Sequence, residues 1–266
     1  MKIFIITMDD PVQTKNFIAR IIDAKSDQII GLAVPNGDRL TLSKGKSKYE
    51  YLISLMLIMG PYYFIKNSFI TVWHKVKKKL HLIGLMSDPT IMGYAQKYGI
   101  PVRRITTANS PEFQLLLKEL QVDIIINQSQ SIIRRELLDI PKIGVINRHN
   151  ALLPKNRGRL TPFWVSYKGE LETGVSIHFV DEGIDSGDII VQEKYEVSRR
   201  DTFNTLVKKN YLIAPNAMIK ALELLESGEV DFIANNDEDA TYNSTPRLNE
   251  AFIYRKNLIK RLYKTE

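Results

Sequence analysis

Asn147, His149 and Asp185 are the residues of this chain whose types and spacing could do chemistry. An amide, an imidazole and a carboxylate are what acyl transfer to an amine requires: a donor to an oxygen that becomes negative, a proton acceptor, and a group that orients the acceptor. Asn147 and His149 stand two apart in residues 143–149, which read as a strand, so both project from one face. There Asn147 would offer its amide N–H to the carbonyl oxygen under attack, and His149 would take the proton of the attacking amine. Asp185 lies far along the chain in the run Asp181-Glu182-Gly183-Ile184-Asp185-Ser186-Gly187-Asp188. That glycine-rich loop can return it beside His149, to hold the ring and stabilise its charged form.

These residues need a scaffold. Residues 2–7 and 28–34 read as short apolar strands, separated by a helical pattern over residues 12–24 with Phe17, Ile18, Ile21 and Ile22 on one side. Pro35-Asn36-Gly37-Asp38 reads as a turn. Asp88-Pro89-Thr90 starts a helix that runs to Tyr98 and stops at Gly99-Ile100-Pro101, and Ser110 caps another that opens with Pro111. Residues 122–127 are almost continuously apolar, as a strand buried on both faces of a parallel sheet should be. Beyond Asp185 the pattern predicts a strand over 188–197, a helix over 202–226 ending before Gly228, and a basic helical tail over 247–264. The alternation implies an α/β, Rossmann-like domain with a mostly parallel sheet, whose site forms at the carboxyl ends of the strands. Thr7-Met8-Asp9-Asp10-Pro11 follows the first strand in place of a Gly-x-Gly-x-x-Gly, which argues against a dinucleotide site.

Several spaced blocks are more specific than one motif. The order Asn147-x-His149-x-x-Leu152-Leu153-Pro154-x-x-Arg157-Gly158, then Thr173-Gly174-Val175-Ser176-Ile177-His178, then Asp181-x-Gly183-Ile184-Asp185-x-Gly187-Asp188, resembles the formyltransferases that use 10-formyltetrahydrofolate. The resemblance covers residues 80–200 well and the flanks more loosely. It implies that Asn147, His149 and Asp185 are the catalytic trio, and that the folate co-substrate lies against Asp181, Glu182, Gly183 and Ile184 and the segment around Ile132 and Ile133. The cations Lys155, Arg157 and Arg159 flank the catalytic strand and are candidate substrate contacts, to phosphate or to the glutamate tail of a folate.

The resemblance also narrows the acceptor. A tRNA-formylating member carries an added C-terminal barrel, for which the stretch after Asp185 is too short. The glycinamide ribonucleotide branch carries a glycine-rich loop after its first strand, unlike residues 7–11. The hydrolases carry an added N-terminal domain, whereas the first core strand here begins at Lys2. The expectation is therefore the branch that formylates amino sugars for surface polysaccharide or lipopolysaccharide synthesis, the sugar being carried on a nucleotide or a lipid. Thr241-Tyr242-Asn243-Ser244-Thr245-Pro246-Arg247 also resembles that branch.

With 266 residues and 44% hydrophobic content, the chain can bury one sizeable core. The division expected is a catalytic domain over 1–200, with an insertion at about 44–85, and a helical extension over 201–266 packed on it. The chain has no cysteine and four histidines without metal-binding spacing, so no metal site is expected. The opening Met1-Lys2-Ile3-Phe4-Ile5-Ile6 reads as a buried strand rather than a signal peptide, so a cytoplasmic location is expected. Between residues 44 and 79 stand eight lysines and one acid, Glu50, which alone equal the net charge of +7. Basic residues confined in this way argue against a general nucleic-acid footprint. Residues 51–65 carry no charge, but Gly60-Pro61 breaks the run before it reaches the roughly 20 residues a spanning helix needs. Two readings stand side by side: a pair of amphipathic helices lying on the inner face of a membrane, or a helical insertion packed on the domain or on a second subunit of a homodimer.

Overall fold

The structure is a computed structural model that describes residues 1–36 and 47–263. It opens with β1 (Ile3–Thr7), buried throughout, and α1 (Thr14–Lys25). The Asp10 carboxylate starts that helix by accepting the backbone N–H groups of Val12, Gln13 and Thr14 at 3.0–3.1 Å. After β2 (Ile29–Pro35), the expected turn begins at Asn36, and its Gly37 and Asp38 lie outside the described residues.

The insertion is a helix pair, α2 (Lys48–Met59) and α3 (Pro61–Leu82). Gly60 separates them at φ 82°, a value that favours glycine, and Pro61 opens α3 where no N–H is needed. Lys44 and Lys46 lie outside the described residues. Next come α4 (Ile91–Gln96), capped by Thr90, β3 (Val102–Ile105), and α5 (Pro111–Leu120), capped by Ser110. β4 (Ile124–Gln128), α6 (Arg135–Leu138) and β5 (Gly144–His149) follow. The chain continues through β6 (Arg157–Gly158), α7 (Thr161–Lys168), β7 (Glu172–Phe179) and β8 (Ile189–Glu196). A Thr202 capping box opens α8 (Phe203–Ser227), which ends at Gly228; β9 (Tyr242–Asn243) and α9 (Leu248–Tyr263) close the described chain.

Seven strands form one sheet in the order β3-β2-β1-β4-β5-β7-β8. The first five are parallel, and β7 and β8 join antiparallel. One face packs Phe17, Ile18, Ile21 and Ile22 of α1 and Ala214, Ala217, Met218, Ala221 and Leu222 of α8. The other packs Phe113 and Leu117 of α5 with Ile133 and Leu137. This is the mostly parallel α/β sheet that the sequence predicts, and α8, which begins the segment expected as an extension, shares the main core with the sheet. A smaller cluster joins Ile58 of α2, Phe163 of α7, Phe203 and Val207 of α8, and Ala251, Tyr254 and Leu258 of α9. The insertion is thus packed on the domain through α2, while much of α3 faces solvent.

Candidate active site

β4 and β5 end side by side, with Asn127 opposite Asn147, at the carboxyl edge of the parallel strands. Asn147 and His149 share a face of β5, and Arg148 between them turns to the opposite side, where it is buried. The Arg148 Nε donates to Gln128 Oε1 at 3.0 Å, and Gln128 Nε2 donates to Asn147 Oδ1 at 2.6 Å. A guanidinium can only donate, so this relay has one polarity. Gln128 must accept with its oxygen and donate with its nitrogen, which caps the Asn147 oxygen and leaves the Asn147 NH₂ as the outward donor. Arg148 is itself held by Asn150 Oδ1 at 3.1 Å and the Tyr211 hydroxyl at 3.0 Å, and lies 4.1 Å over the Tyr211 ring and 4.8 Å over that of Phe17.

His149 is 6% exposed and its Nε2 lies 2.8 Å from the Asn156 carbonyl oxygen. A carbonyl only accepts, so Nε2 carries the hydrogen and the neutral ring presents a bare Nδ1. That Nδ1 is 3.4 Å from Asp185 Oδ2. Asp185 occupies the left-handed region at φ 51°, which aspartate tolerates. Oδ2 accepts the Gly158 N–H at 2.8 Å, and Asn235 Nδ2 donates to the Asp185 carbonyl at 3.0 Å. Gly158 is required there: at φ 100°, an added Cβ would come within 2.2 Å of the Asn243 carbonyl oxygen. On the far side of the carboxylate is His178, its Nε2 3.7 Å from Asp185 Oδ1 and its Nδ1 bonded to the Phe179 carbonyl at 2.7 Å. Burial pushes the His178 imidazole down to about 4, against the opposing pull of Asp185, so this ring is neutral at neutral pH. A carboxylate between two imidazoles, each anchored on a backbone carbonyl through its other nitrogen, is a place to receive one proton.

The structure thus brings Asn147, His149 and Asp185 together in one cleft. Ile132 is 84% exposed and Ile184 61% exposed, on neighbouring loops linked by the Arg135–Glu182 pair at 3.6 Å. Ile133 instead lies in the core under α5 and is 5% exposed. The Asp181 carboxylate is used within its own loop, on the Gly183 N–H and the Ser186 hydroxyl, which shapes the run up to Asp185. Lys155 and Arg159 are exposed on the loop after β5. Arg157 does not face the cleft. Fully buried, it closes on Asp237, Tyr242 and Asn235 at 2.6–2.8 Å, tying that loop to residues 235–242. Its role as a substrate contact fails because the fork is already spent on the chain itself.

The trio lies in a cleft of about 2000 Å³ walled by the loop after β1, by α2 and α3, and by α8. Eight cationic side chains line it, among them Arg20, Lys66, Lys75, Arg104 and Lys208, against three carboxylates, Asp9, Asp10 and Asp185. Sequence reasoning missed Arg148, Gln128 and Tyr211. A charged residue alternating to the buried side of a strand is the signal that could have found Arg148; Tyr211, 63 residues away, carries no local signal.

Residues 76–222, more than half of the chain, match the family described as formyl transferase, and all three residues of the trio fall within the match. The chain belongs to the formyl transferase family. Among relatives, this formyl transferase is 34% identical over 181 residues to methionyl-tRNA formyltransferase of Kosmotoga olearia, covering 63% of this chain and 58% of that one. The chain spans about half the length of the curated relatives it matches. Its fold superposes on phosphoribosylglycinamide formyltransferase from Anaplasma phagocytophilum with a TM-score of 0.59 at 16% identity, covering 92% of this chain and 99% of that one. The N-formyltransferase from Helicobacter canadensis, solved with folinic acid and dTDP-3-aminofucose, gives a TM-score of 0.57 at 19% identity over 92% of this chain and 71% of that one. At such identities the likeness shows a shared fold.

Proposed function

We propose that the protein transfers the formyl group of 10-formyltetrahydrofolate to the primary amine of an amino sugar held on an anionic carrier, a nucleotide or a lipid phosphate, in surface polysaccharide synthesis. The observation that carries this reading is the capped Asn147 amide beside a bare His149 Nδ1 and the Asp185 carboxylate, in a cleft walled by cations. The neutral acceptor amine attacks the formyl carbon, and the Asn147 NH₂ donates to the formyl oxygen as that oxygen gains charge. The amine proton passes to His149 Nδ1, where Asp185 stabilises it, and then to N10 as the carbon–N10 bond breaks. The products are the formamide and tetrahydrofolate. The exposed Ile132 and Ile184, on loops joined by Arg135 and Glu182, would hold the folate ring system, and the cationic wall would hold the phosphate of the carrier.

The test is turnover of His149→Asn. The folded variant should keep its secondary structure and lose most tetrahydrofolate release, by at least about a hundredfold; turnover equal to the parent contradicts the assignment.

A further inference from the structure

We propose that the outer face of α3 docks the protein on an anionic lipid surface. Tyr62, Ile65, Phe69, Val72, Trp73 and Val76 recur at three- and four-residue spacing along this helix, and each is 37–68% exposed. On the opposite face, His74 and Lys78 point inward to Asp9, so the helix is fixed to the domain by one side and offers a continuous apolar stripe on the other. Leu82, Ile83 and Leu85 prolong the exposed surface past the helix end. An apolar stripe this long is seldom left to water without a partner.

Charge selects the partner. α3 holds five lysines and no acidic residue. Lys78 is spent on Asp9 and Lys66 and Lys75 line the cleft, while Lys79 is exposed at the margin of the stripe and Lys77 lies 5.9 Å from the Trp73 ring centroid. Cations bordering a strip of Tyr, Phe, Ile and Trp match a layer with anionic headgroups above and acyl chains below. A self-association seam would place these like charges against each other. No helix among the described residues is long and apolar enough to cross a membrane, so α3 would lie in the interface plane. The cleft then stands behind the docked helix, separated from the lipid by about one helix diameter, roughly 10 Å. That the acceptor is a sugar presented from this surface rests on the function proposed above; docking itself is read without substrate and so fails or succeeds separately.

The experiment is sedimentation of the full chain with vesicles of phosphatidylcholine alone or with about one third phosphatidylglycerol. Binding to the anionic vesicles only, weakened by salt, with a blue shift of Trp73 emission in a Trp164→Phe background, is the expected result. Replacing Ile65, Phe69 and Val72 by serine should cut binding by about tenfold or more with unchanged circular dichroism. Failure of the parent to bind anionic vesicles, or equal binding by the triple variant, overturns the proposal. So does a parent dimer that the triple variant dissolves, since the stripe would then belong to a second copy.

Discussion

Arg148 can only donate, and the orientation of the Asn147 amide follows from that fact through Gln128. Replacing Gln128 by leucine removes the cap on the Asn147 oxygen and frees the amide to present either end to the cleft. The expected outcome is a fall in kcat of about ten- to a hundredfold with a small change in the folate KM, because the lost interaction forms only as charge develops. Asn147→Ala should cost about 10²–10³ in kcat, as loss of one such donor does; steady-state kinetics on the two variants checks both. His178 makes a different prediction. Its folded pKa lies below its unfolded value, so the unfolded state binds the extra proton as pH falls from the ordinary imidazole range towards about 4, and stability declines across that window. Denaturant unfolding at pH 7 and pH 5 should show a loss of at most about 2 kcal/mol that His178→Gln reduces. At this scale the sequence is legible for the shared face of Asn147 and His149, because strand alternation specifies it, whereas no local pattern carries Asp185 to their side. It is not legible for Arg157, where a cation beside the site turns out to be a buried tie. Sequence position alone does not tell which way a long side chain points.

Helices with caps are where the sequence is most legible. Ser110-Pro111 and Thr202 mark the starts of α5 and α8 as predicted, and Gly228 marks the end of α8, because local groups satisfy the end N–H and C=O. The two-residue strands β6 and β9 carry no periodicity and pair across more than eighty residues, so no local pattern announces them. The orientation of α3 is set by a long-range clasp as well: His74 Nε2 lies 3.2 Å, and Lys78 Nζ 2.7 Å, from the Asp9 carboxylate. Burial resists the charge on Asp9, but the hydrogen bonds and charges of Lys78 and His74 outweigh it and hold the carboxyl below the usual range. A lowered carboxylate pKa gives stability that is present above the ordinary carboxylate range and lost as pH falls through the folded value. Asp9→Asn should therefore loosen α3 at neutral pH, by about 1–3 kcal/mol. Hydrogen exchange should show faster exchange along α3 and little change along α5.

Across the whole molecule, the end of the chain returns to hold the site. Asn156, buried at φ 59°, donates to Glu170 and accepts from Lys168 and Asn243, while its N–H donates to Thr241 and its carbonyl accepts from His149. The Thr241–Asn243 segment thus completes the loop that fixes the His149 ring. Asn156→Ala loses three side-chain partners and strains a left-handed residue, so it should destabilise the fold by about 1–3 kcal/mol and lower turnover without touching substrate; thermal unfolding and turnover read the two effects. The most direct test of the proposed function is tetrahydrofolate release from 10-formyltetrahydrofolate, first without acceptor and then with nucleotide-linked amino sugars, glycinamide ribonucleotide and initiator methionyl-tRNA in turn. The expected result is release that depends on an amino sugar and yields its formamide. Release without any acceptor, or release driven only by methionyl-tRNA or glycinamide ribonucleotide, contradicts it.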